Sequence, residues 1–392
     1  MSPSLRFPEF TGEWEKCVLG DYGKVVTGNT PPTKDIENYE NGTYLWASPA
    51  DLGTHKLISE TKTKLSSKGF TKTRPLSKGS VLVTCIGSTI GKTGMATREM
   101  STNQQINSIV VNENNDNEFV YYVVQSAFPH YLSSIAVQAV PIISKSSFEL
   151  LPSKRPSLQE QNKIGKFLSL LDERISTQHR LIEDLKKFKC AIVENVLNNR
   201  HSRMIILGDI GSYIRGLTYS SNDVVEQNGT FIMRSNNIVN GCSLDYYNDV
   251  VSVNKRISKE QMLQNGDIII CMANGCSALV GKSSFYDGKC PRSITVGAFC
   301  GIYRSEEPIV KWLFQTNRYR RYIWNSLQGG NGAIANLNGE DILRMSFPIP
   351  DAPVKNNCVK LLTSVDFMIE NATSLCVLYT SQKEYLLRQM FI

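Results

Sequence analysis

The sequence feature most suggestive of chemistry is a glycine-rich string that ends in lysine and threonine, GSTIGKT at 87–93. It follows a β-branched run and resembles a phosphate-binding loop, which has four residues between its first glycine and the Gly-Lys-Ser/Thr end. This string has three intervening residues, and a second string at 275–283, GCSALVGKS, has five. We therefore predict a turn at both places, and a P-loop enzyme is an alternative hypothesis.

Signatures of other enzyme classes do not stand out either. Asn29-Thr30-Pro31-Pro32 has the wrong order for an adenine methyltransferase motif, and no glycine pattern of a dinucleotide fold accompanies it. The ten cysteines include no C-x-x-C pair, and the four histidines are scattered, so neither a metal site nor a cofactor is expected. The sequence favours a binding protein over an enzyme.

Basic and amide side chains in loops suit a polyanionic partner, as does the net charge of +7. Lysine and arginine neutralise phosphates, whereas Asn and Gln pair with adenine and Arg pairs with guanine. The candidate DNA-contacting residues are Thr30, Lys34, Ser48, Lys72, Ser88, Lys92, Asn103, Gln104, Gln105, Arg215, Tyr219, Arg234, Ser235, Asn236, Asn274, Ser277, Lys282 and Arg292. The run from Arg318 to Arg321 is read either as a further phosphate contact or as an ordinary exposed helix face.

An internal repeat in the sequence predicts the domains in which these residues lie. Leu19-Gly20-Asp21 returns 188 residues later as Leu207-Gly208-Asp209, and KGSVLVTCIG at 78–87 returns as NGDIIICMANG at 265–275. A repeat of this length predicts two similar globular domains. Short β-branched runs separated by Gly, Pro, Asn and Ser predict that both are mainly β.

Each copy ends in a long helix with heptad spacing, and the two helices match at an offset of 194 residues. The apolar seam positions are Ile164, Leu168, Leu171, Ile175, Ile182, Leu185, Ile192, Val196, Leu362, Val365, Ile369 and Leu386. Two matched seams predict an antiparallel coiled coil of roughly 60 Å, at 1.5 Å per residue. The fold class is then α+β with a pseudo-twofold repeat: globular domains at 1–155 and 201–349, and helices at 156–200 and 350–392.

The remaining composition narrows the setting. The N-terminus has no apolar region typical of a signal peptide, and no stretch is apolar enough to predict a membrane span, so no membrane partner is expected. Scattered cysteines are typical of free thiols in a reducing compartment, which predicts a cytoplasmic protein.

Several strings resemble the specificity subunit of type I restriction-modification systems. They are FPEFTGEWEKCVLGDYGKVVTGNTP, YLWASPADLG, KGSVLVTCIGSTIGKTG, STNQQIN and above all LPSKRPSLQEQNKIGKFLSLLDERISTQHRLIEDLKKFKCAIVENVL. The second copy departs from the last string, since PVKNNCV replaces its LQEQNKI opening.

The resemblance implies two target-recognition domains that each read one half of an interrupted, asymmetric site in double-stranded DNA. It also implies two docked methyltransferase subunits, to which restriction/translocase subunits then bind, and no chemistry by the chain itself. The assembled complex would be an adenine-N6 methyltransferase and an ATP-dependent endonuclease. The alternative from a different class is a coiled-coil assembly scaffold without DNA readout of its own.

Overall fold

The chain folds into two compact units that each take in part of both long helices. The computed structural model describes residues 3–134, 142–197, 202–327 and 335–391. Unit 1 comprises Met1–His179 with Thr373–Ile392, and unit 2 comprises Arg180–Ala372. The sequence suggests four segments, with each long helix as a segment of its own. In the structure, part of each long helix belongs to unit 1 and the rest of it belongs to unit 2.

Unit 1 consists of short strands and three helices ahead of the first long helix. Its strands are β1 Glu15–Val18, β2 Gly23–Thr27, β3 Tyr44–Ala47, β4 Leu57–Ile58, β5 Thr63–Leu65, β6 Val81–Thr84, β7 Thr93–Ala96, β8 Ser101–Thr102, β9 Ile106–Val111 and β10 Pro152–Arg155. Its helices are α1 Ser67–Thr71, α2 Asn117–Ser134 and α3 Lys145–Glu149. The central strand β6, VLVT, is buried along its whole length, which explains its unbroken apolar and β-branched composition.

The strands of unit 1 form three sheets. The largest has the order β2-β9-β6-β7-β4, the second is β5-β3-β8, and β1 pairs with β10. Most pairs are antiparallel, but β3 runs parallel to β8. Helix α2 packs its aromatic and β-branched residues into the core of the large sheet, together with Tyr22 and Val83.

Unit 2 repeats this plan with its own strands. They are β11 Arg203–Ile206, β12 Ser212–Arg215, β13 Thr230–Met233, β14 Val251–Val253, β15 Ile268–Cys271, β16 Ala273–Asn274, β17 Ser283–Phe285, β18 Ile294–Val296, β19 Cys300–Arg304, β20 Ala335–Asn336 and β21 Ser346–Ile349. Its short helices are α5 Leu207–Ile210, α6 Val310–Leu313, α7 Asn317–Leu327 and α8 Gly339–Leu343.

Three sheets of unit 2 correspond to the three of unit 1, and the described residues of unit 2 add a two-stranded sheet of β16 and β20. The order β12-β19-β15-β17 matches β2-β9-β6-β7, and β14-β13-β18 matches β5-β3-β8. The parallel pair recurs as β13 with β18, and the closing ladder recurs as β11 with β21. The prediction of an α+β chain with an internal repeat is confirmed.

The two long helices are α4, Leu158–Leu197, and α9, Ala352–Met390. In unit 1, Ile164, Leu168 and Leu171 of α4 share a core with Leu386 and Met390 of α9. In unit 2, Val193 of α4 shares a core with Leu362 of α9. Within each unit, therefore, the two helix segments pack on each other through apolar residues.

Helix α9 is apolar enough by length and composition to cross a membrane, with a mean hydropathy of 1.3 over 18 residues, of which 33% are buried. The expectation that no stretch of the sequence is apolar enough to span a membrane is therefore wrong. Leu362, Val365, Ile369, Ala372 and Cys376 of this helix are buried within the units. A helix that supplies one face to a protein core acquires the same composition, because its core stripe must be apolar.

Gly28 and Gly216 follow equivalent strands and allow two backbones to approach closely. A Cβ on Gly28 would lie 2.2 Å from the Thr102 carbonyl oxygen, and a Cβ on Gly216 would lie 2.1 Å from that of Gly297. These contacts are too short for any side chain, so the repeat of this glycine reflects a packing requirement.

We expect Gly216→Ala to lower the free energy of unfolding by about 1–3 kcal/mol, because the added methyl group must displace a backbone carbonyl. Urea unfolding of the full chain measures the change. Gly275→Ala is the control, since a Cβ there meets no atom within 4 Å. Equal stability of the two variants would contradict the close approach.

Candidate nucleic-acid interface

Strand register brings the candidate loops of unit 1 together at one edge of the fold. Thr27, at the end of β2, pairs with Asn107, and Thr84, at the end of β6, pairs with Ile106, so both strands end beside the start of β9. The parallel strands β3 and β8 also end there, since the Asn103 amide donates to the Ala47 carbonyl at 2.9 Å. We call this convergence of loops the β9 edge.

Polar side chains of the β9 edge are hydrogen-bonded to each other. The Thr30 hydroxyl donates to Gln104 Oε1 at 2.6 Å, and Asn103 Nδ2 donates to Gln105 Oε1 at 3.0 Å. Ser48 closes the neighbouring turn through a 2.9 Å bond from its amide to Asp51 Oδ2. Hydrogen bonds of this kind hold side chains in one geometry before a ligand arrives, which lowers the entropy cost of binding.

The glycine-rich string lies at the same edge and is a turn. Residues Gly87–Gly91 connect β6 to the strand β7, whereas a phosphate-binding loop leads into a helix. Ser88 and Lys92 are exposed on this turn, and the Lys92 side chain lies beside Gly53. The second string likewise ends in a strand, β17, so neither copy has the structure of a nucleotide-binding loop.

Most basic residues of unit 1 between positions 56 and 74 are paired with carboxylates or carbonyls. Lys72 binds Asp35 at 3.1 Å, Lys68 also binds Asp35, and Arg74 donates to the Thr27 carbonyl. Lys56 is partly buried and contacts Tyr122, Glu118 and Asp172. Fewer lysine and arginine side chains in this segment are therefore free to bind phosphate than their number in the sequence suggests. Within the described ranges, Lys34 and Lys92 are exposed lysines without an ion pair.

In unit 2, the equivalent loops converge at the start of β19. Arg215 ends β12 opposite Gly301, and Cys271 ends β15 opposite Cys300. The Gly297 amide donates to the Met233 carbonyl at 2.9 Å, the equivalent of the bond from Asn103 to Ala47. We call this the β19 edge.

Several candidates of unit 2 meet at the β19 edge. Asn274 Nδ2 donates to the Ser235 hydroxyl at 3.2 Å, and the Tyr219 ring lies beside Gly297. The Arg234 backbone amide donates to Asn237 Oδ1 at 2.9 Å, so Arg234 occupies the place of Ser48. Exposed Asn236 follows directly, and Ser277 and Lys282 lie on the turn between β16 and β17.

Arg292 is the candidate that the structure separates from the others. It precedes β18, so it lies at the opposite end of the parallel β13–β18 pair from Arg234. Its guanidinium stacks on the Phe231 ring and donates to the Gly229 carbonyl at 3.2 Å. These contacts give Arg292 a structural role in holding the start of β13, at the opposite end of the strand from the β19 edge.

The arginine run of α7 divides in the structure. Arg318 donates to the Ser346 carbonyl at 2.7 Å and lies near the Tyr322 ring, so it has a structural role. Arg320 and Arg321 are exposed together with Trp324. A bond from the Tyr319 hydroxyl to the Gly281 carbonyl holds this helix against the turn that carries Lys282.

Buried cysteines at the two edges are unsuited to nucleophilic chemistry. Burial raises the pKa of the Cys85 thiol to about 12 and also raises the pKa of Cys300. A thiol with a raised pKa carries little thiolate at neutral pH and is unreactive. All ten cysteines are free, and within the described residues no group of three His, Cys, Asp or Glu side chains is arranged to hold a metal ion.

The long helices carry an ion pair in each unit, at matched positions; the pair is partly buried in unit 1 and buried in unit 2. In unit 1, Lys383 of α9 binds Asp172 of α4 at 2.7 Å, and the Tyr122 hydroxyl donates to the same carboxylate. Burial, and then the Asp172 charge, raise the pKa of Tyr122, which keeps it a donor. In unit 2, Lys189 of α4 binds Asp366 of α9 at 3.0 Å.

The Asp366 carboxylate has two further partners in unit 2. Trp312 Nε1 donates to it at 3.1 Å, and Lys311 binds it at 2.8 Å. Asp172 and Asp366, like Lys189 and Lys383, are 194 residues apart. Each helix therefore carries the same aspartate and lysine, and each aspartate binds the lysine of the other helix. In unit 1 residue 172 faces 383 and residue 179 faces 376, which is an antiparallel order.

The predicted seam residues line the same helix faces. Those that are buried are Ile164, Leu168, Leu171, Ile182, Leu185, Leu362, Val365, Ile369 and Leu386. Ile175 packs partly buried against the unit 1 core, and Ile192 and Val196 pack partly buried against the unit 2 core.

One residue of the β19 edge is absent from the sequence-based candidates. Phe299 is 68% exposed at the tip of the turn that enters β19. The helix offset of 194 residues, applied to Gln105, leads to Phe299 and would have identified it. No other feature of the sequence around Phe299 indicates a DNA contact.

Comparisons with known proteins agree with this duplicated plan. Residues 11–187 match the family model described as type I restriction modification DNA specificity domain. The MjaIX specificity subunit of Methanocaldococcus jannaschii is 28% identical over 47% of this chain and 43% of its own length. The HindI specificity subunit of Haemophilus influenzae is 31% identical over 31% of this chain and 27% of its own length. The matched region spans less than half the length of these curated relatives.

The likeness in fold extends over the whole chain. The crystal structure of the type I restriction-modification S subunit from M. genitalium covers 100% of this chain and 99% of its own, with a TM-score of 0.66 and 16% identity. That structure therefore shares the fold of each unit with this chain. The chain is therefore similar to type I restriction-modification specificity subunits, with the family model matched over residues 11–187 and the fold shared over the whole chain.

Proposed function

We propose that this chain is the DNA-recognition subunit of a type I restriction-modification complex, with one half of an interrupted, asymmetric site read by each unit. The observation that carries the proposal is a constant framework with two different loop sets. The β9 and β19 edges share backbone bonds, yet one presents Gln104 and Gln105, supported by buried Asn103, and the other presents Arg234, Ser235 and Asn274. Reading two different half-sites requires this combination.

The chemistry of each edge suits the major groove of double-stranded DNA. Amide side chains pair with adenine and an arginine pairs with guanine through two hydrogen bonds each. Lys34, Lys92 and Lys282, which form no ion pair within the described ranges, are positioned on loops to neutralise phosphates. Base contacts then give specificity, while phosphate contacts give affinity and orientation.

The long helices supply the proposed docking surfaces for two methyltransferase subunits. Large apolar side chains are exposed along them, and exposed patches of this kind mark interaction surfaces. They are Leu158, Phe167, Leu170, Leu181, Phe188, Val354, Leu361, Phe367, Met368, Leu375, Val377, Leu378 and Tyr385. Phe167 and Leu361, like Leu181 and Leu375, are 194 residues apart, so the pattern occurs twice and fits two copies of one partner.

The chain itself then carries out no chemical step. Restriction/translocase subunits join the methyltransferase core, and the complex supplies adenine-N6 methylation and ATP-dependent cleavage. Such a complex acts in the cytoplasm, where its DNA is found.

A selection from randomised duplexes tests the proposal against the scaffold alternative. The full chain, assembled with the methyltransferase subunits of its system, should enrich one interrupted sequence with two unlike halves. A scaffold without readout would enrich no sequence, and that outcome would refute the proposal.

Salt dependence tests the phosphate contacts separately. We expect DNA affinity to fall steeply with salt, and replacement of Lys34, Lys92 or Lys282 by Ala to reduce the slope of log K against log salt by about one per lysine. Fluorescence anisotropy over a salt series measures the slope. Lys145→Ala is the control, because Lys145 is paired with Glu149 on α3. An unchanged slope in all three variants would show that these lysines do not meet phosphates.

A further inference from the structure

The turn that enters β19 is the structural equivalent of the amide turn that enters β9. Cys300 N donates to the Gly297 carbonyl at 2.8 Å, as Ile106 N donates to that of Asn103 at 3.2 Å. Met272 N donates to the Phe299 carbonyl at 2.8 Å, as Cys85 N donates to that of Gln105 at 2.8 Å. Phe299 therefore occupies the position of Gln105 in the same backbone.

The side chains of the two turns have opposite chemistry. The turn of unit 1 has three amides, of which Asn103 is buried and Gln104 and Gln105 reach the surface, whereas Gly297, Ala298 and Phe299 have no polar side-chain group. The Phe299 ring is 68% exposed and belongs to no core cluster of the described residues. Single exposed apolar residues are ordinary, but the backbone of this one is fixed by bonds from Met272 and Ala273 to its carbonyl, and Tyr219 contacts the same turn at Gly297.

We propose that Phe299 is a specificity-determining residue that contacts the 5-methyl group of a thymine in the half-site read by unit 2. The inference rests on the function proposed above and adds the mode of readout at one position. In the major groove thymine presents a methyl group, which apolar side chains including phenylalanine contact. The fixed turn thus reads an A·T pair by an apolar contact in unit 2, where unit 1 offers hydrogen bonds.

The contact can be tested with deoxyuridine, which differs from thymidine by the loss of that methyl group. Once the site is known from selection, each thymine of both half-sites is replaced in turn and binding to the full chain with its methyltransferase subunits is measured. We expect deoxyuridine at one position of the unit 2 half-site to lower the binding affinity about fourfold, which corresponds to the free energy of burying one methyl group. Phe299→Ala should bind the thymine and uracil duplexes equally, and Phe299→Leu should retain part of the difference.

Gln105→Ala provides the matched control, because it alters the equivalent turn of unit 1 and should leave the thymine effect intact. A flat deoxyuridine scan, a difference that survives Phe299→Ala, or a unit 2 half-site without A·T pairs would each overturn the inference. Insertion of the ring between base pairs would also overturn it, and would appear as a Phe299-dependent rise in 2-aminopurine fluorescence regardless of the methyl group. If the complex selects no sequence at all, the proposed function itself fails; if it selects a site but the scan is flat, the role of Phe299 alone fails.

Discussion

Replacing residues 201–349 with the matching block of another specificity subunit will change one half of the methylated DNA sequence and leave the other half unchanged. The β19 edge lies wholly inside this block, from Arg215 to the start of β19. The β9 edge lies wholly outside it. Because base readout is a local matter of groove contacts, the two halves should change independently.

The structure also supports these boundaries for an exchange. The ladder between β11 and β21 joins residues 203–206 to 346–349, so both ends of the block stay paired after transfer. Lys311 and Trp312 bind Asp366 on α9, which lies outside the block. A donor that keeps these two residues should therefore fold on the resident helices.

The methylated adenines of a methylation-free host, mapped by long-read sequencing, give the outcome directly. The reciprocal exchange of residues 1–155 is the control and should change the other half. A change in both halves, or in neither, would contradict one reader per unit.

The second large effect concerns the buried carboxylate of unit 2. We expect Asp366→Ala to lower the free energy of unfolding by about 3–5 kcal/mol, because removing one partner of a buried pair leaves the other charge without compensation. The Lys189 and Asp366 side chains are 9% and 10% exposed, so water compensates little. The change also removes the acceptor of Trp312 Nε1. Chemical unfolding of the full chain measures the loss.

Two controls separate the buried charge from a general effect of losing an aspartate. Asp184→Ala removes an exposed pair with Lys187, with side chains 75% and 77% exposed, and should cost less than about 1 kcal/mol. The double change Lys189→Met with Asp366→Asn removes both charges of the pair and keeps an acceptor for Trp312. It should be more stable than Asp366→Ala, and a double variant that is less stable would argue against an uncompensated charge.

Much of the fold could be predicted from the sequence. The β-branched runs at 81–84 and 268–271 became central strands, and both heptad patterns became helices of 40 and 39 residues. These features repeat along the chain, and periodicity is a local property that a sequence displays directly.

The candidate site was predicted less completely. Thr30, Asn103, Gln104 and Gln105 came together because strand ends converge, which polar loop composition only suggested. Lys72 instead proved to be paired with Asp35, and Arg292 was stacked on Phe231. Charge pairing and stacking depend on residues distant in sequence, so a run of lysines cannot show how much charge stays free.

The sequence by itself determined the duplication, the heptad register and the matched positions of Asp172 and Asp366. The tertiary structure decided which lysine each aspartate binds, Lys383 and Lys189, because antiparallel packing pairs the beginning of one helix with the end of the other. It also decided which backbone bonds hold Phe299 in the position that Gln105 has in unit 1. Equivalence of loops is set by backbone hydrogen bonds between strands, and no single segment of sequence contains both partners of such a bond.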